Sequence, residues 1–255
     1  MSDHYIEFQH VFMSFDDRPV LSDVSFFVDR GETAVIMGRS GVGKSVSLKL
    51  LMGFLTPDSG RIIVGGQDVT GWSEQQFEQI RRRVTMVFQA GALFDSLSVA
   101  ENVAFPITSR GGHQDPDQID RRVNELLKML EVAQFADRLP ADLSTGTKRA
   151  VAIARALAEE PDAILYDEPT TMVDPLMAAH VSDLIVRLKQ TLHKTAIVVT
   201  HDTHLGKKLA DRVIFLHEGR VGFFGTWPDL EASKDPVIRN FLLQDELIPA
   251  LDSTL

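Results

Sequence analysis

AVIMGRSGVGKSVSLKLLM, residues 34–52, sets an apolar run, a glycine-rich turn and a helical pattern in direct succession. Ala34–Met37 reads as a buried strand and Gly43–Met52 as a helix. Between them Gly38, Gly43, Lys44 and Ser45 satisfy the spacing G-x-x-x-x-G-K-S/T. The glycines let the backbone turn tightly and aim successive N–H groups at phosphate oxygens. The helix that follows adds the positive end of its dipole. The candidate phosphate-binding residues are therefore Gly38, Arg39, Ser40, Gly41, Val42, Gly43, Lys44, Ser45 and Val46. Lys44 is placed to reach the β and γ phosphates of ATP, and the Ser45 hydroxyl to ligate Mg²⁺. Such a spacing arises by chance in roughly 1 in 100 chains of this length, and correct flanks lower that further. Alone, the loop implies nucleotide binding and leaves the reaction open.

Outward from the loop, short apolar runs alternate with longer amphipathic segments. Val84–Phe88, Ala163–Tyr166 and Ile197–Thr200 read as further buried strands. Helical patterns cover Gln118–Leu130, Thr147–Leu157 and Leu176–Leu192. Alternation of this kind predicts a parallel sheet covered by helices, an α/β fold. Tyr5–Phe12 and Val24–Val28 read as strands with no helix between them, which predicts an antiparallel flap. From Ala90 to Pro161 no strand pattern is evident, only helical segments and a glycine-rich polar patch, Ser109–Asp117. The expected organisation is an α/β core of 1–89 and 162–226 carrying the β flap, a helical subdomain of 90–161 inserted in it, and C-terminal helices with a tail over 227–255.

Composition narrows the classes. The 255 residues suffice for one large domain. Cysteine is absent, which excludes disulfides and thiolate metal sites. A net charge of −10 argues against nucleic acid as a partner. The densest basic run, Arg81 to Arg83, is too short to make a binding patch. The first residues, with Asp3, His4 and Glu7, lack the basic and apolar regions of a signal peptide. No apolar run approaches the roughly 18 residues needed to span a bilayer. A membrane role is thus expected to come through a partner.

A second chemical element follows the strand Ala163–Tyr166. Asp167 at the tip of a buried strand suits Mg²⁺, directly or through water. Glu168, one residue on, can polarise an attacking water as general base.

With these elements in order, the chain resembles the ABC ATPase family along nearly its whole length: a P-loop NTPase (RecA-like) core with antiparallel β flap and inserted helical subdomain. Leu143-Ser144-Thr145-Gly146-Thr147 resembles the signature LSGGQ and stands before a helix. Gln89 matches the Q-loop glutamine, Asp174 the D-loop aspartate and His201 the switch histidine, while Phe15 resembles the aromatic that stacks on adenine. The resemblance implies that the signature residues Ser144, Thr145, Gly146 and Thr147 reach the γ-phosphate of a second copy's nucleotide, so that two cassettes face each other as a homodimer. It implies that His201 holds the γ-phosphate beside Glu168, and that Gln89 touches Mg²⁺ or the water and senses a membrane partner. Asp174 is expected to act across the dimer.

Three departures stand out. Thr145 and Thr147 replace the glycine and glutamine of the signature, Ala150 occupies a position where arginine is frequent, and Thr171-Met172-Val173 replaces smaller D-loop residues. Because Lys44, Glu168 and His201 are intact, hydrolysis is expected, though slow.

The runs Phe88–Val99 and Glu101–Pro106, with Asp235–Leu242, are similar to cassettes of Mce/Mla-type lipid transporters. That similarity implies an integral membrane permease as partner, with an MCE-domain substrate-binding protein beyond it. The cassette would then be peripheral on the cytoplasmic face of the inner (plasma) membrane. Ala92, Leu93 and Phe94, next to Gln89, are the expected permease contact. The competing readings are an ABC ATPase for another substrate, a soluble ABC ATPase outside transport, and a cassette that binds without hydrolysing.

Overall fold

A computed structural model describes residues 3–89, 91–109 and 115–243. Of the patch Ser109–Asp117, residues 110–114 lie outside the described residues, as do Ala90 and the tail from 244. In chain order the strands are β1 (His4–Phe15), β2 (Arg18–Asp29), β3 (Thr33–Met37), β4 (Ser59–Val64), β5 (Gln67–Asp68), β6 (Val84–Val87), β7 (Ala163–Asp167), β8 (Thr195–Val199), β9 (Arg212–His217) and β10 (Arg220–Gly225). The helices are α1 (Lys44–Leu51), α2 (Glu74–Arg81), α3 (Val99–Thr108), α4 (Pro116–Met129), α5 (Thr145–Leu157), α6 (Pro175–Leu192), α7 (Thr203–Leu209) and α8 (Trp227–Glu231). Residues 236–243 are also helical. The chain divides into two compact units, 1–81 with 193–255, and 82–192.

In the first unit, β1 and β2 form a long antiparallel hairpin whose tip holds Asp16 and Asp17, both at positive φ. That conformation matches the twist of a two-residue hairpin turn. β4 pairs with the other edge of β1, and the short β5 closes the sheet in the order β2-β1-β4-β5. This is the antiparallel flap, two strands wider than the sequence pattern predicts. Tyr5, Ile6, Phe8 and Val11 of β1 and Leu21, Val24, Phe26 and Val28 of β2 are buried. Apart from the consecutive pair Tyr5 and Ile6 and the phase shifts at the bulges, these residues alternate as in a sheet with one covered face. β3 is buried at every position and lies parallel between β8 and β9, with β10 antiparallel on β9. Continuous burial suits a strand covered on both faces, and it holds the strand end rigidly where the phosphate loop begins.

In the second unit, β6 and β7 run parallel, with Val84 opposite Ala163 and Val87 opposite Tyr166. No strand interrupts the described residues between 91 and 161. α5 packs against α3, α4, α6 and β6 and is buried around most of its circumference. Ala150 is 2% exposed there. Its side chain faces this core, a place where arginine would be costly.

Candidate nucleotide-binding site

The first unit contributes the loop between β3 and α1. Gly43 stands at the N-cap of α1 with φ 101 and no side-chain cap. A glycine at this position has no side chain to compete with a ligand for the first-turn N–H groups. Positive φ is one reason for glycine here; space is another. A Cβ on Gly43 would lie 2.5 Å from Leu21 Cδ2 and 3.1 Å from the Val20 carbonyl oxygen. At Gly38 a Cβ would collide with the Leu216 carbonyl. β2 and β9 therefore clamp the two ends of the loop, whereas Gly41 between them has open space around it.

Lys44 is 7% exposed, and its Nζ donates to the carbonyls of Gly38 at 2.9 Å and Arg39 at 3.2 Å. The ammonium is thus stretched along the loop rim rather than out into solvent. Arg39, Ser40 and Gly41 are exposed; Val42, Ser45 and Val46 are half-buried. A helix N-terminus without a side-chain cap and a held cation make a cradle that fits a polyphosphate. Phe15 is 42% exposed at the end of β1 and Phe12 is 38% exposed, so both rings are open to stacking. His201 is exposed just beyond β8, ahead of Asp202, whose carboxylate caps α7 by accepting from Leu205 N–H at 2.9 Å.

The second unit holds the acidic residues. β7 is buried throughout and ends in Asp167, 8% exposed. Glu168 follows with φ 47, a turn that directs it away from the strand line. Thr171 Oγ1 donates to Glu168 Oε2 at 3.0 Å, fixing the carboxylate from its own loop. Burial pushes the Tyr166 hydroxyl above its ordinary pKa, so it stays neutral behind the two acids. Gln89 is exposed beyond β6. No group of three His, Asp or Glu able to hold a metal is found among the described residues. Mg²⁺ bound to a nucleotide needs none, because phosphates and water supply most of its ligands.

The signature opens α5. Ser144 is the N-cap, accepting from Thr147 N–H at 3.1 Å, and its Oγ also bonds Thr147 Oγ1 at 2.8 Å. Thr147 is thereby engaged with Ser144. Thr145 is exposed at the first helical position, so its side chain is not pressed into the core. Gly146 has a packing reason: a Cβ there would lie 2.5 Å from Met177 Cε. Asp174 accepts from Met177 N–H at 3.0 Å and so caps the start of α6.

Two residues escape the sequence reading. Arg149, 3% exposed, donates to the carbonyls of Phe88 and Thr171. Asn102, fully buried, holds the loop from Phe94 to Ser98. Arg149 looks like its neighbour Lys148 in sequence, and only the phase of α5 separates them. Asn102 offers one signal, a polar residue on the apolar face of a helix.

A family profile described as ABC transporter matches residues 21–171, more than half of the chain. The methionine import ATP-binding protein MetN of Bifidobacterium longum is 37% identical over 250 residues, 95% of this chain and 62% of that relative. The chain thus spans less than two thirds of the length of that relative. The intermembrane phospholipid transport system ATP-binding protein MlaF of Haemophilus influenzae is 36% identical over 242 residues, covering 95% of this chain and 91% of the relative. Among solved structures, the dimeric post-hydrolysis state of the ATP-binding cassette MJ0796 bound to ADP and Pi superposes with a TM-score of 0.78 at 31% identity, over 87% of this chain and 98% of that one. Phosphate loop, acidic strand exit and signature-like helix start all occur in this one chain, which belongs to the ABC transporter family as one of its ATPase cassettes.

Proposed function

We propose that two copies of this chain hydrolyse ATP·Mg²⁺ to drive a lipid-carrying permease of the Mce/Mla type. The transport half of the reading rests on one observation. Phe94 and Phe105 are 43% and 38% exposed, and their ring centroids lie 4.4 Å apart, close in sequence to Gln89. Arg155 lies 5.6 Å from the Phe94 ring centroid and donates to the carbonyls of Ala92 and Gly91, so the pair is held rigidly. An exposed, rigid aromatic pair is what an interface anchor requires. No helix of the described residues is long and apolar enough to cross a membrane, and the partner in this reading supplies the spanning part. The lipid half rests on the run from Phe88 to Pro106 and on the phospholipid-transport relative.

Within this reading Lys44 binds the β and γ phosphates, Ser45 is a Mg²⁺ ligand, and Asp167 and Gln89 serve the metal in the second unit. Glu168 is the general base, His201 holds the γ-phosphate, and Phe15 stacks on adenine. Ser144 to Thr147 and Asp174 act on the partner copy. Residues 90–161 are the permease-facing helical subdomain of a core made from 1–89 and 162–226. The complex sits on the cytoplasmic face of the inner membrane, with an MCE-domain protein beyond the permease. The similar identity to the methionine importer favours a second reading, amino-acid import.

The test is co-expression with the neighbouring permease and reconstitution in liposomes holding labelled phospholipid or methionine. Lipid movement that needs ATP supports the proposal. Methionine movement without lipid movement replaces it by the second reading. Phe94→Asp is expected to keep ATPase activity while losing co-purification. A complex that forms normally with Asp at this position refutes the contact.

A further inference from the structure

Arg149 carries a charge into a part of α5 whose neighbours Ala150, Val151, Ala152, Ile153 and Ala154 are buried. It is itself 3% exposed. Burial lowers its pKa, yet a guanidinium keeps its proton under such conditions. A buried cation is costly unless its donors are used.

Two of them are. One arm donates to the Phe88 carbonyl at 2.9 Å and the other to the Thr171 carbonyl at 3.2 Å, while Nε has no partner among the described residues. The two carbonyls belong to segments with chemistry beside them. Phe88 precedes Gln89. Thr171 donates its hydroxyl to Glu168 Oε2 at 3.0 Å and its N–H to the Glu168 carbonyl at 3.2 Å. Glu168 and Met172 both have positive φ, 47 and 61, so the turn between them depends on outside support. A planar fork can fix two acceptors at once; a flexible amide or ammonium holds them less firmly.

We infer that Arg149 is a positioning residue for ATP hydrolysis: it ties the backbone beside Gln89 to the turn that holds the Glu168 carboxylate. A shift of the Gln89 segment is passed through one rigid guanidinium to Thr171, and from its hydroxyl to the base. The inference rests on the proposed roles of Glu168 and Gln89 and adds the link between them.

The test compares the full-length chain with Arg149→Gln, Arg149→Lys, Thr171→Val and the Arg149→Gln/Thr171→Val double variant. kcat, KM, ATP affinity and the thermal midpoint are measured for each. Arg149→Gln and Thr171→Val are each expected to lower kcat about tenfold with KM within about twofold. The double variant should lose no more than the worse single one, because both break the same path. Arg149→Lys should behave like Arg149→Gln. Losses that multiply in the double variant overturn the inference, as does full rescue by lysine, which would reduce the role to charge. If Arg149→Gln fails to fold, Thr171→Val decides: a normal kcat there overturns the inference. A wild-type chain that turns over no ATP refutes the ATPase reading instead, a result distinct from any of these.

Discussion

Replacing Asn102 by alanine removes a side chain that serves one short loop. Its Oδ1 accepts from Phe94 N–H at 2.8 Å, and its amide is shared among the carbonyls of Phe94, Leu97 and Ser98 at 3.1, 2.9 and 3.0 Å. An amide has two N–H groups, so with the accepted bond three hydrogen bonds are lost. At about 1 kcal/mol each the cost is about 3 kcal/mol. Asn102 is fully buried, which raises that figure, while exposure of Phe94 and Asp95 lets water reach part of the loop and lowers it. With a urea slope of about 3 kcal/mol/M the unfolding midpoint falls by about 1 M. Both tryptophans, Trp72 and Trp227, lie in the first unit, so far-UV circular dichroism is the better probe of a change in the second. The same variant should hydrolyse ATP at its normal rate when folded, yet bind the proposed permease poorly, because the loop carrying Phe94 loses its inner support and keeps only the Arg155 contact. A midpoint shift below about 0.3 M would mean that water replaces the amide, and the assignment of Asn102 as the staple of this loop would be wrong.

Glu168→Gln keeps the acceptor for Thr171 but loses basicity, and a fall in kcat of about a hundredfold or more is expected with ATP binding retained. ATP-loaded dimers should then accumulate on size exclusion; turnover at the normal rate excludes Glu168 as the base. Thr145→Gly should preserve or raise kcat, because the exposed Thr145 side chain adds bulk at the helix start without packing below it. A large loss of kcat would show that the threonine hydroxyl is itself used. Gly146→Ala drives a methyl against Met177 and should destabilise the chain by about 1–3 kcal/mol in urea unfolding. An unchanged midpoint would show that Met177 moves aside freely.

The strand, loop and helix from Ala34 to Met52 were legible because an apolar run, a glycine turn and a lysine-serine pair leave few alternatives. Asp167 and Glu168 were legible for a similar reason, two acids ending a buried strand. The extra flap strands were not. β4 carries Gly60 within it and runs into the Gly65-Gly66 turn, and β5 is two residues long, too short for any period. β9 and β10 form a hairpin late in the chain that carries no motif. At the site, motif order placed Asp174 and Gly146, but the local work of Gly146 was hidden. The α6 cap is local, and Asp174 directly before Pro175 is its linear signal; clearing space for Met177 depends on how α6 meets α5, which linear spacing does not encode. Arg149 was hidden more deeply, since only the rotation of α5 decides that it points inward while the adjacent Lys148 stays half-exposed.

The clamp on the phosphate loop has a consequence of its own. Val20, Leu21 and the Leu216 carbonyl pack so closely on Gly38 and Gly43 that a side chain has no room there, and such packing on the backbone favours loop ends shaped when the chain folds. The conformational entropy of those ends is then spent before any nucleotide arrives, and binding is spared that cost. Association becomes the filling of a ready mould rather than the ordering of a strand of glycines. Sequence drift in β2 or β9 would accordingly surface as slower and weaker nucleotide capture, at positions outside the phosphate loop itself.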